Sequence, residues 1–404
     1  MQRKMKNSGV QWIGEIPESW NVVKGKNLYD IATGKLDANA EVPNGEYPFF
    51  TCSMYPKQID TYAFDCEALL VAGNGMVGFT QYYNGKFNAY QRTYVLSNFR
   101  NSTPSFLKYY LSNNLATEVA PNSVGSVIQF IKLGDLQNFH VAIPDELEQE
   151  RIVAYLDNQC NEIDTVIEKT KATIEEYKHL KQSLITQAVT KGIHQDCDMV
   201  ATEYEWIGEI PSHWKTIKAK WLLGERKERS QEGAEEPLSM SQKFGLIPTK
   251  EMDMIPNMAS SFVGAKLVYE GDLVFNKLKA HLGVFAVSKY EGLVSPDYAV
   301  YYPTGVANVK YLEYLFKTPQ YIAEFRKKSS GVGAGLTRLY TDDLFSIYCS
   351  VPPIEEQEEI IAYLDKQCAE MDTLIARKTA LLAEMEAYKK SVIYEYVTGK
   401  KEVL

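Results

Sequence analysis

Apolar residues recur at two different spacings along this chain. Over residues 146–190 they fall on interleaved rows at sevens. Leu156, Ile163, Thr170, Tyr177 and Leu184 form one row, and Cys160, Ile167, Ile174, Lys181 and Ala188 the other. Over 354–397 the rows are Leu364, Met371, Lys378, Met385, Val392 and Cys368, Ile375, Leu382, Lys389, Tyr396. Two rows at heptad spacing make a coiled-coil seam, and polar members of a seam fix its register. Asp145, after Pro144, is placed to cap the amide of Glu148, and Pro352-Pro353 opens the second helix. About 42 residues at ~1.5 Å each make a rod of roughly 60 Å. Two such helices in one chain are expected to pair with each other, antiparallel. The alternative is that each covers its own globular part or binds another protein.

Elsewhere the pattern is that of strands. Ala68-Leu69-Leu70-Val71-Ala72 and Asp272-Leu273-Val274-Phe275 read as buried strands. Tyr90–Leu96 and Asp297–Tyr301 read as half-buried ones. Residues 104–113 and 308–316 carry helical spacing. The fold class that follows is α+β: two mixed, strand-rich globular domains joined by two long helices forming an antiparallel coiled coil.

The two sets of elements are copies. Trp12-Ile13-Gly14-Glu15-Ile16-Pro17-Glu18-Ser19-Trp20 returns as Trp206-Ile207-Gly208-Glu209-Ile210-Pro211-Ser212-His213-Trp214. Ile152–Cys160 returns as Ile360–Cys368. The unit of duplication is therefore about half the chain, far longer than a solenoid repeat. Its ends are kept and its middle has diverged, as expected if the middle discriminates between targets. The domains are 1–144 and 202–353, the helical parts 145–192 and 354–404, and the linker 193–201.

Charge changes the picture through its distribution. The net charge of −9 argues against nucleic acid at first sight. Yet residues 1–144 hold 12 basic against 11 acidic residues and 201–353 hold 18 against 18, so the acidity sits in the helical parts. The two globular domains are near neutral and can carry local basic clefts, with a partner supplying much of any phosphate attraction. Six scattered cysteines without a CxxC point to a reduced, cytoplasmic setting. Met1–Lys6 is basic but no apolar stretch follows, and no run of 18 apolar residues exists, which argues against secretion and membrane spanning.

No catalytic constellation emerges. Gly73-Asn74-Gly75-Met76-Val77-Gly78 matches GxGxxG, but a nucleotide site needs a helix next, and Phe79–Gly85 reads as strand then turn. Pro144-Asp145 with Glu176-Tyr177-Lys178 imitates a metal nuclease, yet its second element lies mid-helix. What remains are polar, basic and aromatic residues on the variable parts. They are Asn74, Tyr82, Tyr83, Asn88, Gln91, Arg92, Ser126 and Gln129 in the first copy. In the second they are Lys277, Lys279, His281, Arg326, Lys327, Lys328 and Arg338. Such side chains read base edges in the major groove or hold phosphates. For any one of them an ordinary solvated surface role is the competing expectation.

The ends of each half resemble those of type I restriction–modification specificity subunits. The residues that carry this are Trp-Ile-Gly-x-Ile-Pro-x-x-Trp at 12–20 and 206–214. With them go Glu148-Gln149-Glu150-x-Ile152, Tyr155-Leu156-Asp157 and Glu162-Ile163-Asp164. Their copies are Glu356-Gln357-Glu358-x-Ile360, Tyr363-Leu364-Asp365 and Glu370-Met371-Asp372. The resemblance implies two target-recognition domains in a pseudo-twofold tandem repeat, each reading one half of a bipartite, asymmetric site on double-stranded DNA. It implies spacer helices that set the unread gap and dock methyltransferase subunits, two of them, with restriction/translocase subunits joining that core. It further implies a chain with no catalysis of its own, S-adenosylmethionine, ATP and magnesium being used by the partners. The regions 122–129 and 330–337 align as recognition loops. The class furthest from this is a coiled-coil scaffold whose globular domains bind proteins; selective retention on duplex DNA separates the two.

If the helices are the ruler, four residues added to each, near Thr173 and Leu381, lengthen the rise by about 6 Å, close to two base pairs at ~3.4 Å. Methylation of duplexes with graded gaps should then keep both half-sites while the preferred gap grows by one or two base pairs. An insertion variant that holds to the original gap sinks the idea.

Overall fold

The computed structural model describes residues 3–119, 130–194, 197–241, 244–252, 261–333 and 336–403. It divides into two compact units. One comprises residues 1–172 and 379–404, the other residues 173–378. The long helices, Glu146–Lys191 and Ile354–Val397, therefore each give their first part to one unit and their last part to the other. The sequence boundaries at 144 and 353 mark where the helices begin, not where the units part.

In the first unit a six-stranded sheet has the order Asp30–Thr33, Thr93–Ser97, Phe64–Ala72, Thr80–Ala89, Tyr47–Phe50, Lys57–Ile59. Phe64–Ala72 pairs antiparallel with both Thr80–Ala89 and Thr93–Ser97. Its alternate residues Leu69 and Val71 face a core with Phe106, Tyr110 and Leu111 of helix Pro104–Val119. Leu70 and Ala68 face a smaller cluster with Phe50 and Phe87. This two-sided burial is why Ala68–Ala72 reads as an unbroken apolar run. The turn expected at Asn84-Gly85 does not form. The strand continues through it, because Cys66 pairs with Gly85 and Phe64 with Phe87, and glycine tolerates the φ of 131° there.

The second unit repeats the plan with less. Its four-stranded sheet runs Leu223–Glu225, Tyr298–Pro303, Leu273–Asn276, Phe285–Val287. Helices Val309–Phe316 and Pro319–Lys328 cover it, burying Tyr311, Leu312, Phe316 and Phe325 against Phe275 and Phe285.

The duplicated motifs are the joints between globular part and helix. Trp20 Nε1 donates to Glu148 at 2.9 Å, and Trp214 Nε1 to Glu356 at 3.1 Å. One position on, Gln149 is buried in the first turn of its helix. It accepts from the Thr103 amide at 2.8 Å and donates to the carbonyls of Asn101 and Pro144. Gln357 does the same with the Asn308 amide and the Pro352 carbonyl. Two turns along, Asp157 accepts from the Tyr109 hydroxyl and Asp365 from that of Tyr314. Asp145 caps the Glu148 amide at 2.9 Å, as the sequence indicated.

Each unit also takes the end of the opposite helix. Val392, Ile393 and Val397 pack with Ile13, Ile16 and Trp20, and the Tyr394 hydroxyl donates to the Trp12 carbonyl. Ile185, Ala188 and Val189 pack with Ile210 and Trp214. Within the first unit the helices run antiparallel, with the rings of Tyr155 and Tyr396 4.4 Å apart and Lys389 bonded to both oxygens of Asp164 at 2.6 Å. Within the second, Lys181 holds Asp372 in the equivalent way. These half-exposed pairs contribute only about 0.2–1 kcal/mol each, so their effect is on register more than on stability.

Gln149→Ala or Gln357→Ala should lower the stability of its unit by roughly 2–3 kcal/mol, since each leaves a buried amide and carbonyl unpaired. The exposed control Gln187→Ala should stay within about 0.5 kcal/mol. Denaturant unfolding decides it, and equal effects for buried and exposed glutamines would contradict the clamp.

Candidate functional site

The chemistry-bearing residues of each unit gather at one corner of its sheet, and the corner is made alike in both. In the first unit Ala72 pairs with Thr93 at the end of the central strands, and the next residue, Gly73, accepts through its carbonyl from the Ile131 amide at 2.9 Å. In the second, Asn276 pairs with Tyr298, and Lys277 accepts from the Leu339 amide at 3.0 Å. On this backbone Arg92 and Asp297 hold one equivalent position, and Phe130 and Arg338 hold another.

The first corner is an open cavity of about 380 Å³ lined by Gly73, Gln91, Arg92, Tyr94, Phe130 and Ile131. Asn74 bridges to Phe130 at its rim. Gly73 is required there, because a Cβ would come within 2.5 Å of the Arg92 carbonyl oxygen. Gln91 and Arg92 are exposed, and Phe130 is an unusually bare aromatic at 53% exposure. The loop around Cys52 leans on the same place, its thiol 3.3 Å from the Arg92 carbonyl, and leaves Met54 and Tyr55 largely bare.

Other residues singled out from the first copy lie elsewhere. Tyr82 is exposed on its strand, and its hydroxyl donates to Glu67 at 2.8 Å. Burial is minor there, and the Glu67 carboxylate as acceptor pushes the phenol above its usual value. Tyr83, on the other face, packs its ring against Phe50 and Phe87. Asn88 is buried; its amide donates to the Thr61 carbonyl and accepts from the Ala89 N–H, so it holds the sheet edge together. Ser126 and Gln129 lie outside the described residues.

The second corner is cationic. Lys277 and Arg338 meet there, joined by Arg229 and Lys266, whose strands bridge at that point. Burial, then the Arg338 guanidinium, pulls Lys277 below the usual lysine value. Burial, then Lys277, does the same to Lys266, which has Glu225 at 3.7 Å. Asp297 holds Arg338 Nη2 at 2.9 Å. Lys279 is exposed beside the 3-10 turn Ala280–Leu282, where the His281 Nδ1 is buried without a partner among the described residues. That turn packs on helix Pro319–Lys328, whose last turn carries Arg326, Lys327 and Lys328. Two residues beyond, Ser330 pairs with Arg338. Lys277 and Arg338 thus share the corner, Lys279 and His281 lie on the adjoining turn, and Arg326, Lys327 and Lys328 end the helix that packs on that turn. Arg229, Lys266 and Asp297 were not legible as members. The first two sit on strands remote in sequence, whereas the alignment of Asp297 with Arg92 was a signal available within the repeat.

Residues 17–176 match the family described as Type I restriction modification DNA specificity domain. The specificity subunit of the type I restriction enzyme EcoDI from Escherichia coli is 26% identical over 96% of this chain and 90% of its own length. The family-matched stretch takes in the first unit's sheet, its joint and the start of its long helix. The MjaVIII specificity subunit of Methanocaldococcus jannaschii is 21% identical, covering 96% of this chain and 94% of its own. A solved chain from work on complex assembly and conformational transition of the type I R-M system shares the fold. Its TM-score is 0.68, with 14% identity, over 96% of this chain and 99% of that one. In this chain the joints built from the duplicated motifs are alike in both units, and the corners are where the two units differ. No helix among the described residues is long and apolar enough to cross a membrane.

Arg92→Ala should weaken duplex binding. If Arg92 reads a base, the loss is about 1–3 kcal/mol at one position of the site. If it holds a phosphate, all sequences weaken alike and the salt slope falls by roughly one. Unchanged affinity and unchanged slope would remove Arg92 from the interface.

Proposed function

We propose that each unit reads one half of a bipartite, asymmetric duplex site through its corner. The chain is a specificity subunit and its role is recognition of DNA sequence, with DNA and other subunits of the restriction–modification complex as partners. The observation that carries the half-site reading is the corner built twice on one backbone with different side chains. Arg92 and Phe130 stand in the first unit where Asp297 and Arg338 stand in the second. Identical scaffolds with unlike chemistry suit two unlike half-sites.

On this reading the long helices fix the number of unread base pairs and dock two methyltransferase subunits, to which restriction/translocase subunits add. The chain contributes no catalytic group. Methyl transfer from S-adenosylmethionine and ATP- and magnesium-dependent cleavage belong to the partners.

The test is an exchange. Residues 21–142 are replaced by the matching part of a related specificity subunit, and the methylation pattern of the host is read at base resolution. One half-site should change while the other stays. Change in both, or in neither, contradicts the reading.

A further inference from the structure

We infer that Arg338 reads a guanine of the half-site bound by the second unit, with Asp297 as the residue that positions its guanidinium. This rests on the half-site reading proposed above.

Three observations lead there. The Arg338 Nη2 donates to Asp297 Oδ1 at 2.9 Å, and the side chain is only 23% exposed. Its Nε is buried and has no partner among the described residues. A buried donor without an acceptor is uncommon in a settled structure. Third, Arg338 ends the strand Leu336–Arg338, paired with Ser330, at the corner where Lys277, Lys266 and Arg229 crowd.

The carboxylate decides between phosphate and base. An arginine neutralised by Asp297 has lost most of its long-range pull on a phosphate. It has gained a fixed plane, and a fixed planar fork is what bidentate bonding to guanine O6 and N7 requires. Phosphate attraction is left to Lys277, for which no ion pair is found among the described residues, since Lys266 is buried and paired with Glu225. In the first unit the equivalent seat holds Phe130, and the equivalent of Asp297 is Arg92. A phenyl ring offers no hydrogen bond, so the first corner lacks at that seat the donor that Arg338 supplies in the second.

The experiment uses the assembled complex of this chain with its methyltransferase partner, on duplexes carrying the site read from the host's methylation pattern. Each guanine is replaced in turn by 7-deazaguanine, which lacks the N7 acceptor. One guanine of the second half-site should then cost the wild-type complex about 10- to 100-fold in Kd. In Arg338→Ala the same replacement should cost nothing further. Arg338→Lys keeps the charge and tests the fork without a cavity; it should retain non-specific affinity and salt slope but lose the preference for that guanine. Asp297→Asn should reduce the preference for guanine over adenine there while raising non-specific affinity and the salt slope, because it releases the Arg338 charge, which a purely structural role would not do. Guanines of the first half-site should respond alike in all variants.

Equal weakening of every sequence by Arg338→Ala, with the salt slope lower by about one, would make Arg338 a phosphate contact and overturn the proposal. So would a 7-deazaguanine cost that persists in full in Arg338→Ala at every position, or a second half-site with no guanine in either strand. A wild-type complex with no preference for its own site would instead sink the half-site reading, and this proposal with it.

Discussion

The bond from a buried tryptophan to the first turn of a long helix is the constraint on which the rest depends. Trp20 reaches Glu148 and Trp214 reaches Glu356, and Gln149 and Gln357, next in sequence, tie the same turn to the loop that precedes a domain helix. A glutamine side chain can both donate and accept. It therefore satisfies an amide and a carbonyl that would otherwise be buried unpaired, and it does so only in one orientation of helix against domain. Asp157 and Asp365 repeat the fastening two turns along through Tyr109 and Tyr314. A helix pinned at two points by directional bonds cannot swivel as one held by apolar packing alone can.

That rigidity bears on recognition. A side chain discriminates between base edges only if its position is reproducible to a fraction of an ångström, because hydrogen bonds weaken steeply with distance and angle. The corners at Gly73 and Lys277 inherit their placement from central strands that run directly into them. Those strands are buried against the helices that the glutamine clamps secure. The same backbone bond recurs at both corners while the side chains on it exchange charge. The protein thus holds the scaffold constant and varies the surface.

Polar residues on the helix seam have a comparable division of labour. Lys389 with Asp164, and Lys181 with Asp372, are too exposed to add much stability. Each nonetheless defines which turns face one another. Aspartates noted in the sequence only as parts of a repeated motif turn out to be the register marks of the paired helices.

Much of the architecture was legible in the sequence by itself, for periodicity and duplication are properties of the chain alone. The heptad rows placed both long helices, the Asp145 cap placed the start of the first, and the apolar run 68–72 placed the central strand. Twofold repetition supplied the plan of two units. Tertiary structure alone decided which polar residues were free to act. Tyr83 and Asn88 looked the same in sequence as Gln91 and Arg92, a few positions further on. Yet one packs its ring in the core and another spends its amide on the sheet edge, while the last two stand at the rim of an open cavity. Lys266 and Arg229 joined Lys277 only because their strands bridge. Periodicity is a local signal and survives in one dimension. Burial, pairing and the meeting of charges depend on contacts between residues tens of positions apart, and those exist only once the chain has folded.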